Sequence, residues 1–408
     1  MHTSRRTFLQ KAGLGLAGIS LILSACTKPS ATTQTETAAA TAKPSDYMVY
    51  VGTYAKQEAE SIFGYRLNPE TGELTRELAV KGGANPSYLI LDAARQHLYA
   101  VNETGDYKGQ KSGYVSAFAV DPQTGNLTYL NEQASRGGAP CYLSLDHTGN
   151  MLMVANYSGG NVSAYPIEAD GKLGASSAFD QHQNPSRVDP KGRQNDPHAH
   201  CILADPANKF AFSVDLGKDE ITGYQLDAAN ARFAPMAQPA FKTKPGAGPR
   251  HLVFHPNQKF AYVVNEIGST LTSLTYDAAK GTFTEVQTVT TKPEGYTGEN
   301  DCAHLEVSQD GKFVYVSNRG HNSIAVFAAD PASNKLTLVQ HIETQGNWPR
   351  HFAFDPSGKI LLVANQRSSN IATYKVDTQT GKLTYTGHST EVKEPVCLQV
   401  VPSFPAAK

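Results

Sequence analysis

A seven-bladed β-propeller, an all-β fold, is predicted for residues 46–403, and three observations predict it. The chain repeats with a period of roughly 50 residues, each repeat holds about four short apolar runs, and the two ends carry complementary fragments of one more repeat.

The repeat is plainest in two segments. Pro249-Arg-His-Leu-Val-Phe-His-Pro-Asn-Gln-Lys-Phe-Ala-Tyr-Val-Val-Asn265 follows the same plan as Pro349-Arg-His-Phe-Ala-Phe-Asp-Pro-Ser-Gly-Lys-Ile-Leu-Leu-Val-Ala-Asn365: strand, turn, strand, terminal Asn. The first turn begins at Asp92, Asp146, Asp205, His255, Ser308 and Asp355. Ten residues after each stand Asn102, Asn156, Asp215, Asn265, Asn318 and Asn365. An interval kept without insertion puts all length variation into loops, as expected of small sheets stacked on one another. Short runs rich in Val, Tyr and Phe between turn signals argue against a helical solenoid.

The ends complete the count. Tyr47–Thr53 reads as a second strand and Ile62–Leu67 as a third, with no first strand before them, while residues 395–401 read as a first strand with nothing after. Joined, they make a seventh blade, which closes the ring and leaves no free sheet edge. A monomer is therefore expected.

Residues 1–25 read as an export signal. Ser4-Arg5-Arg6-Thr7-Phe8-Leu9 resembles the twin-arginine signal, with Gln10 where that pattern more often has Lys. The uncharged, mostly apolar run over 12–25 is short for a transmembrane helix and follows a basic flank, as in a signal peptide. Leu23-Ser24-Ala25-Cys26 resembles a lipobox, which implies a lipid anchor on Cys26. Residues 26–45, rich in Thr, Ala, Ser and Pro, lack the bulky apolar groups needed to fold and read as a flexible tether. The expected location is the periplasmic side of a membrane as an anchored lipoprotein. Thr27, where an Asp would resemble the inner-membrane retention signal, points to the outer membrane. Lys plus Arg number 36 against 37 Asp plus Glu, so no net field favours a nucleic acid partner.

In a propeller the first strand of each blade lines a central channel. Five residues before each first turn lies one equivalent position, occupied by Ser87, Cys141, His200, Arg250, Ala303 and Arg350, with Val396 in the closing blade. Directly after the Asn or Asp that ends strand two lies another, occupied by Glu103, Tyr157, Leu216, Glu266, Arg319 and Gln366. Stacking alone asks for small or apolar groups at such positions, so ionisable residues recurring there are a functional signal. The structural alternative is that Arg250 and Arg350 merely pair with Glu266 and Glu103. His251, His304 and His351 occupy a third equivalent position and are expected to bridge blades. His198 and His200 alternate along a strand, so one of the two is expected to face the channel.

The sequence has no Gly-x-Ser-x-Gly elbow, no CxxC pair, no metal-ligand spacing among Cys141, Cys201, Cys302 and Cys397, and no phosphate-cradling Gly-rich loop. No cofactor or metal is expected, and whether Cys141 and Cys201 pair after export is left open. Arg, His and Glu on a small cleft suit an anionic substrate that bears a carbonyl. Arginines hold a carboxylate or phosphate and stabilise charge developing on a carbonyl oxygen, while a His or Glu takes a proton from attacking water. Lactone hydrolysis fits this, as does ring-forming cycloisomerisation of a muconate-type organic acid.

From residue 47 to 402 the chain resembles the bacterial propeller-type 6-phosphogluconolactonase family, which is related to the fungal carboxymuconate cyclase. The resemblance rests on Asn68-Pro-Glu-Thr-Gly72, Asp121-Pro-Gln-Thr-Gly125, Asp196-Pro-His-Ala-His200, Gly248-Pro-Arg-His251, Asn265-Glu266, Asn318-Arg319 and Trp348-Pro-Arg-His351. It implies seven blades, no nucleotide cofactor, hydrolysis of a sugar lactone, and acting residues at His198 or His200, Arg250, Glu266 and Arg319. The register adds Arg350, Glu103 and Gln366 as substrate-binding candidates. Phosphogluconolactone arises inside the cell, so the export signal leaves two other readings: a lactone met outside the cytoplasm, or an exported propeller that binds a ligand without catalysis.

Overall fold

A computed structural model of the protein describes residues 46–404; the twin-arginine motif, the lipobox at Cys26 and the tether lie outside the described residues. Seven antiparallel sheets follow one another along the chain, six of them with their main strands in sequence order from the inner strand outward. Six begin on the inner strands Pro86–Leu91, Pro140–Leu145, Ala199–Ala204, Pro249–Phe254, Asp301–Val307 and Pro349–Phe354, here blades 1 to 6. Blade 3 has a fifth, two-residue strand, Phe241–Lys242, and the one helical element among the described residues is a 3-10 turn at Ala228–Asn230. The seven-bladed all-β expectation is borne out.

Blade 7 is composite, as the ends of the sequence imply. Pro395–Pro402 supplies its inner strand and pairs antiparallel with Tyr47–Thr53, from Tyr47 opposite Pro402 to Gly52 opposite Cys397. No side chain fits at Gly52, because a Cβ there would stand 2.3 Å from the carbonyl oxygen of Pro86 in the next blade.

The constant ten-residue interval has a physical basis at both of its ends. At the turn, Asp146 Oδ1 accepts the N–H groups of Asn150 and Met151, and Asp205 and Asp355 do the same at their own turns. This is the Asx geometry that makes Asp a turn residue. At the strand end, Asn102, Asn156, Asn318 and Asn365 each donate a side-chain N–H to a carbonyl of the segment entering the blade, at 2.8–2.9 Å. These are buried amides whose polar groups must be satisfied.

The blades hold one another through apolar layers and a repeated hydroxyl. One layer joins Tyr262 and Val264 of blade 4 to Val314, Val316 and Phe327 of blade 5. Near the middle of strand two, Tyr50, Tyr99 and Tyr315 reach the outer turn of the following blade and donate to the carbonyls of Gly125, Gly171 and Gly381. Tyr262 does the same to Asn334 Oδ1 at 2.5 Å.

Candidate active site

Each inner strand begins with a β-bulge, and the bulged residue is the first equivalent position found in the sequence. Pro249 pairs with Asn265 and His251 with Val264, so Arg250 has no partner in the ladder. The same slip leaves Ser87, Cys141, His200, Arg350 and Val396 unpaired in blades 1, 2, 3, 6 and 7, and blade 5 slips across Ala303 and His304. A bulge re-aims a side chain and is enriched beside active sites. Here it lets two successive residues of one strand, such as Arg250 and His251, serve the channel.

The centre of the site is Glu266, which is buried. Its Oε2 lies 2.9 Å from Arg250 Nε and 2.7 Å from Arg319 Nη2, and its Oε1 meets Arg193 Nη2. Burial alone would raise the carboxyl pKa, but Arg319, Arg250, His200 and Arg193 outweigh it and hold Glu266 below the usual carboxylate range. Arg250 moves the other way: burial, then Arg319 and Arg350, lower it to about 10, so it stays charged at neutral pH. Its Nη1 also donates to Ala303 O, and Arg319 Nη2 donates to Cys302 O.

His200 faces the same space from blade 3. Burial, helped by the charge on Arg250, keeps it well below the ordinary histidine value, so the ring is neutral at pH 7. Its Nδ1 lies 3.4 Å from Cys141 Sγ, and burial keeps that thiol protonated. In the tautomer whose Nδ1–H donates to Sγ, Nε2 keeps its lone pair. His198, the other histidine of the pair, is held as wall: its ring stacks on Tyr157 at 4.4 Å and its Nδ1 bonds Tyr157 O at 2.9 Å. Cys141 and Cys201 are both free, so the open question of a disulfide between them is answered in the negative.

Arg350 and Glu103, with Tyr54, form a second group on the channel. Arg350 Nη2 lies 3.9 Å from Glu103 Oε2, which accepts the hydroxyl of Tyr54 at 2.9 Å, and the guanidinium sits over the Tyr54 ring. Burial works against the charge on Arg350, but Tyr54 and Glu103 more than offset it. Ser87 Oγ and Gln366 Oε1 are buried without a hydrogen-bond partner.

The pairing anticipated as a structural alternative is thus present for both arginines, but the cluster is larger than that pairing requires. Arg193 also reaches Asp301 at 2.7 Å, so four guanidiniums face three carboxylates. Arg193 escaped the register argument because it belongs to no strand. It sits in the connection over residues 182–198 between blades 2 and 3, pinned by Gln194 Nε2 donating to Leu216 O and Asp219 Oδ1. The signal for it in the sequence was the unusual length of that connection. Further along the inner strands, His251 Nδ1 meets His304 Nδ1 at 3.0 Å, and His304 stacks on His351 at 4.0 Å, so these histidines do bridge blades.

The family described as lactonase, 7-bladed beta-propeller matches residues 48–400. The chain belongs to the seven-bladed lactonase family. Within it, the 6-phosphogluconolactonase of Bacillus subtilis is 37% identical over 317 residues, which cover 76% of this chain and 85% of the relative. A protein of the same name from Formosa agariphila is 34% identical over 315 residues, covering 76% and 86%. The solved periplasmic gluconolactonase PpgL of Pseudomonas aeruginosa superimposes with a TM-score of 0.80 at 35% identity, covering 88% of this chain and all of that one.

Proposed function

We infer that this lactonase-family protein hydrolyses a sugar lactone of the 6-phosphogluconolactone kind at the Glu266 mouth of its channel. The observation that carries the reading is a neutral histidine, His200, opening onto the same buried space as a set of fixed guanidiniums. Arg250 and Arg319 stabilise the oxyanion as water adds to the ring carbonyl. His200 Nε2 takes the proton of that water as the new C–O bond forms, and returns it to the ring oxygen as the ester bond breaks. Glu266, whose charged form three guanidiniums stabilise, holds them in place. An incoming anion offsets the field of Arg250 at His200 and raises its basicity at the moment of use.

Export is part of the proposal. The twin-arginine and lipobox resemblances, together with the periplasmic Pseudomonas relative, support a protein anchored through Cys26 and acting on a lactone outside the cytoplasm, and the closed ring supports a monomer. The test is proton release from freshly prepared 6-phosphogluconolactone and gluconolactone against the spontaneous background. His200→Asn and Arg250→Ala are each expected to lower kcat by about 10²-fold or more. Wild-type protein that accelerates neither lactone would overturn the reading.

A further inference from the structure

Past the Glu266 cluster the inner strands run on, and six of them line a second chamber of about 420 Å³ further along the channel. Its polar lining is Tyr88, Tyr142, His251, His304, His351, Gln399 and Glu306; the remainder is apolar, and no Arg or Lys lines it. Five of those side chains form a closed circuit of rings, Tyr88 to Tyr142 to His251 to His304 to His351 and back to Tyr88, with centroids 4.0–5.6 Å apart. The hydrolytic step assigned to His200 and the arginines uses none of them.

Glu306 is the one carboxyl in this chamber, and no Arg or Lys pairs with it among the described residues. Its Oε1 lies 3.4 Å from His304 Nε2, and its Oε2 lies 3.4 Å from the Phe354 N–H. The other titratable groups around it carry no charge at pH 7. Burial holds His251, His304 and His351 below the ordinary histidine value, and raises Tyr88, Tyr142 and the Cys397 thiol. Arg250, which meets His251 Nε2 at 3.0 Å, is committed to Glu266. A carboxyl taken out of bulk water without a cation is costly to ionise, which is why Glu306 is pushed up to about 8. A cation supplied from outside would remove that cost.

We propose that this chamber binds a small organic ammonium ion, with Glu306 as its counter-ion and the Tyr–His circuit as its aromatic wall. Aromatic rings attract a cation through the negative faces of their π-systems, and apolar walls suit alkyl groups on nitrogen better than a hydrated ion. A divalent metal fits poorly. Calcium and magnesium ask for about six oxygens or more, and a single carboxylate is offered. His251 Nδ1 and His304 Nδ1 are already taken up with each other at 3.0 Å, and no group of three metal-ligating side chains is assembled among the described residues. An anion would meet no basic side chain. The site stands apart from the lactonase reading and does not depend on it.

The test is calorimetric titration with choline at pH 8, which is expected to saturate with a single ion bound. Dimethylbutanol, its uncharged carbon isostere, should bind at least about tenfold more weakly. The ion selects the ionised form of Glu306, so below the raised value of that group binding must expel its proton and affinity falls with pH. Going from pH 8 to pH 7 should weaken choline about fivefold, and binding at pH 7 should release about one proton, read in buffers of different ionisation enthalpy. In Glu306→Gln the amide stands in for the protonated acid, and choline should drop to the affinity of the alcohol. No saturable choline binding, equal binding of choline and the alcohol, an affinity unchanged between pH 8 and pH 7, or undiminished binding by Glu306→Gln would overturn the site. Should the variant fail to fold, the alcohol and pH comparisons on the wild-type protein still decide it.

Discussion

Glu266 and Glu306 are carboxyls on the same channel with opposite behaviour, and the neighbours of each explain why. Glu266 sits among guanidiniums, so its pKa is depressed in the folded protein. The stability it contributes is present above the unfolded carboxyl value and is lost as pH falls through the depressed one. Glu266→Gln would leave Arg250, Arg319 and Arg193 facing one another without their shared anion. A loss of about 3–5 kcal/mol is expected, measured by denaturant unfolding at pH 7. Glu306 has no cation beside it: burial raises it to about 8, partly offset by the Phe354 N–H, while burial and Arg250 push His304, 3.4 Å away, down to about 3. The two are therefore a neutral pair between those values. The sign for Glu306 is reversed, because the folded state holds a proton that the unfolded chain gives up near its ordinary value. Stability drains away as pH rises toward and through 8. Melting temperature should fall between pH 6 and pH 9 in the wild type, and Glu306→Gln should flatten that fall.

At the scale of the strand, the inward bulge and the outward tyrosine divide the work of each blade. The bulge aims a residue at the channel and carries function; the tyrosine hydroxyl fastens the blade to its neighbour. Tyr315→Phe keeps the ring in its apolar layer but leaves the buried Gly381 carbonyl without its donor. It should cost about 1–3 kcal/mol with little change in turnover, read by thermal unfolding alongside the lactone assay. The ring positions were legible in the sequence because the turn and the terminal Asn fix ten residues between them, so that Arg250, Glu266 and Arg319 could be placed by counting. Arg193 was not legible in this way. Nothing in the spacing of a long connection says where its tip will fall, and only the packing of residues 182–198 across blade 3 brings that guanidinium to Glu266.

At the scale of the ring, stability depends on closure. Pro395–Pro402 is the inner strand of blade 7, and its removal exposes Tyr47–Thr53 as a free edge and opens the apolar layers on both sides. A chain ending at residue 394 should unfold at lower temperature and lose cooperativity, in contrast to the local effect of Tyr315→Phe; differential scanning calorimetry separates the two. The number of blades, their composite closure and the register of the channel-facing residues were determined by the sequence alone, because each follows from a period and an interval that local turn chemistry enforces. The tertiary structure decided which histidine of 198 and 200 turns toward the Glu266 cluster, that Cys141 and Cys201 are free thiols, and that Glu266 binds three arginines rather than one. These depend on distances between different blades and a loop, and a spacing along one chain cannot carry them.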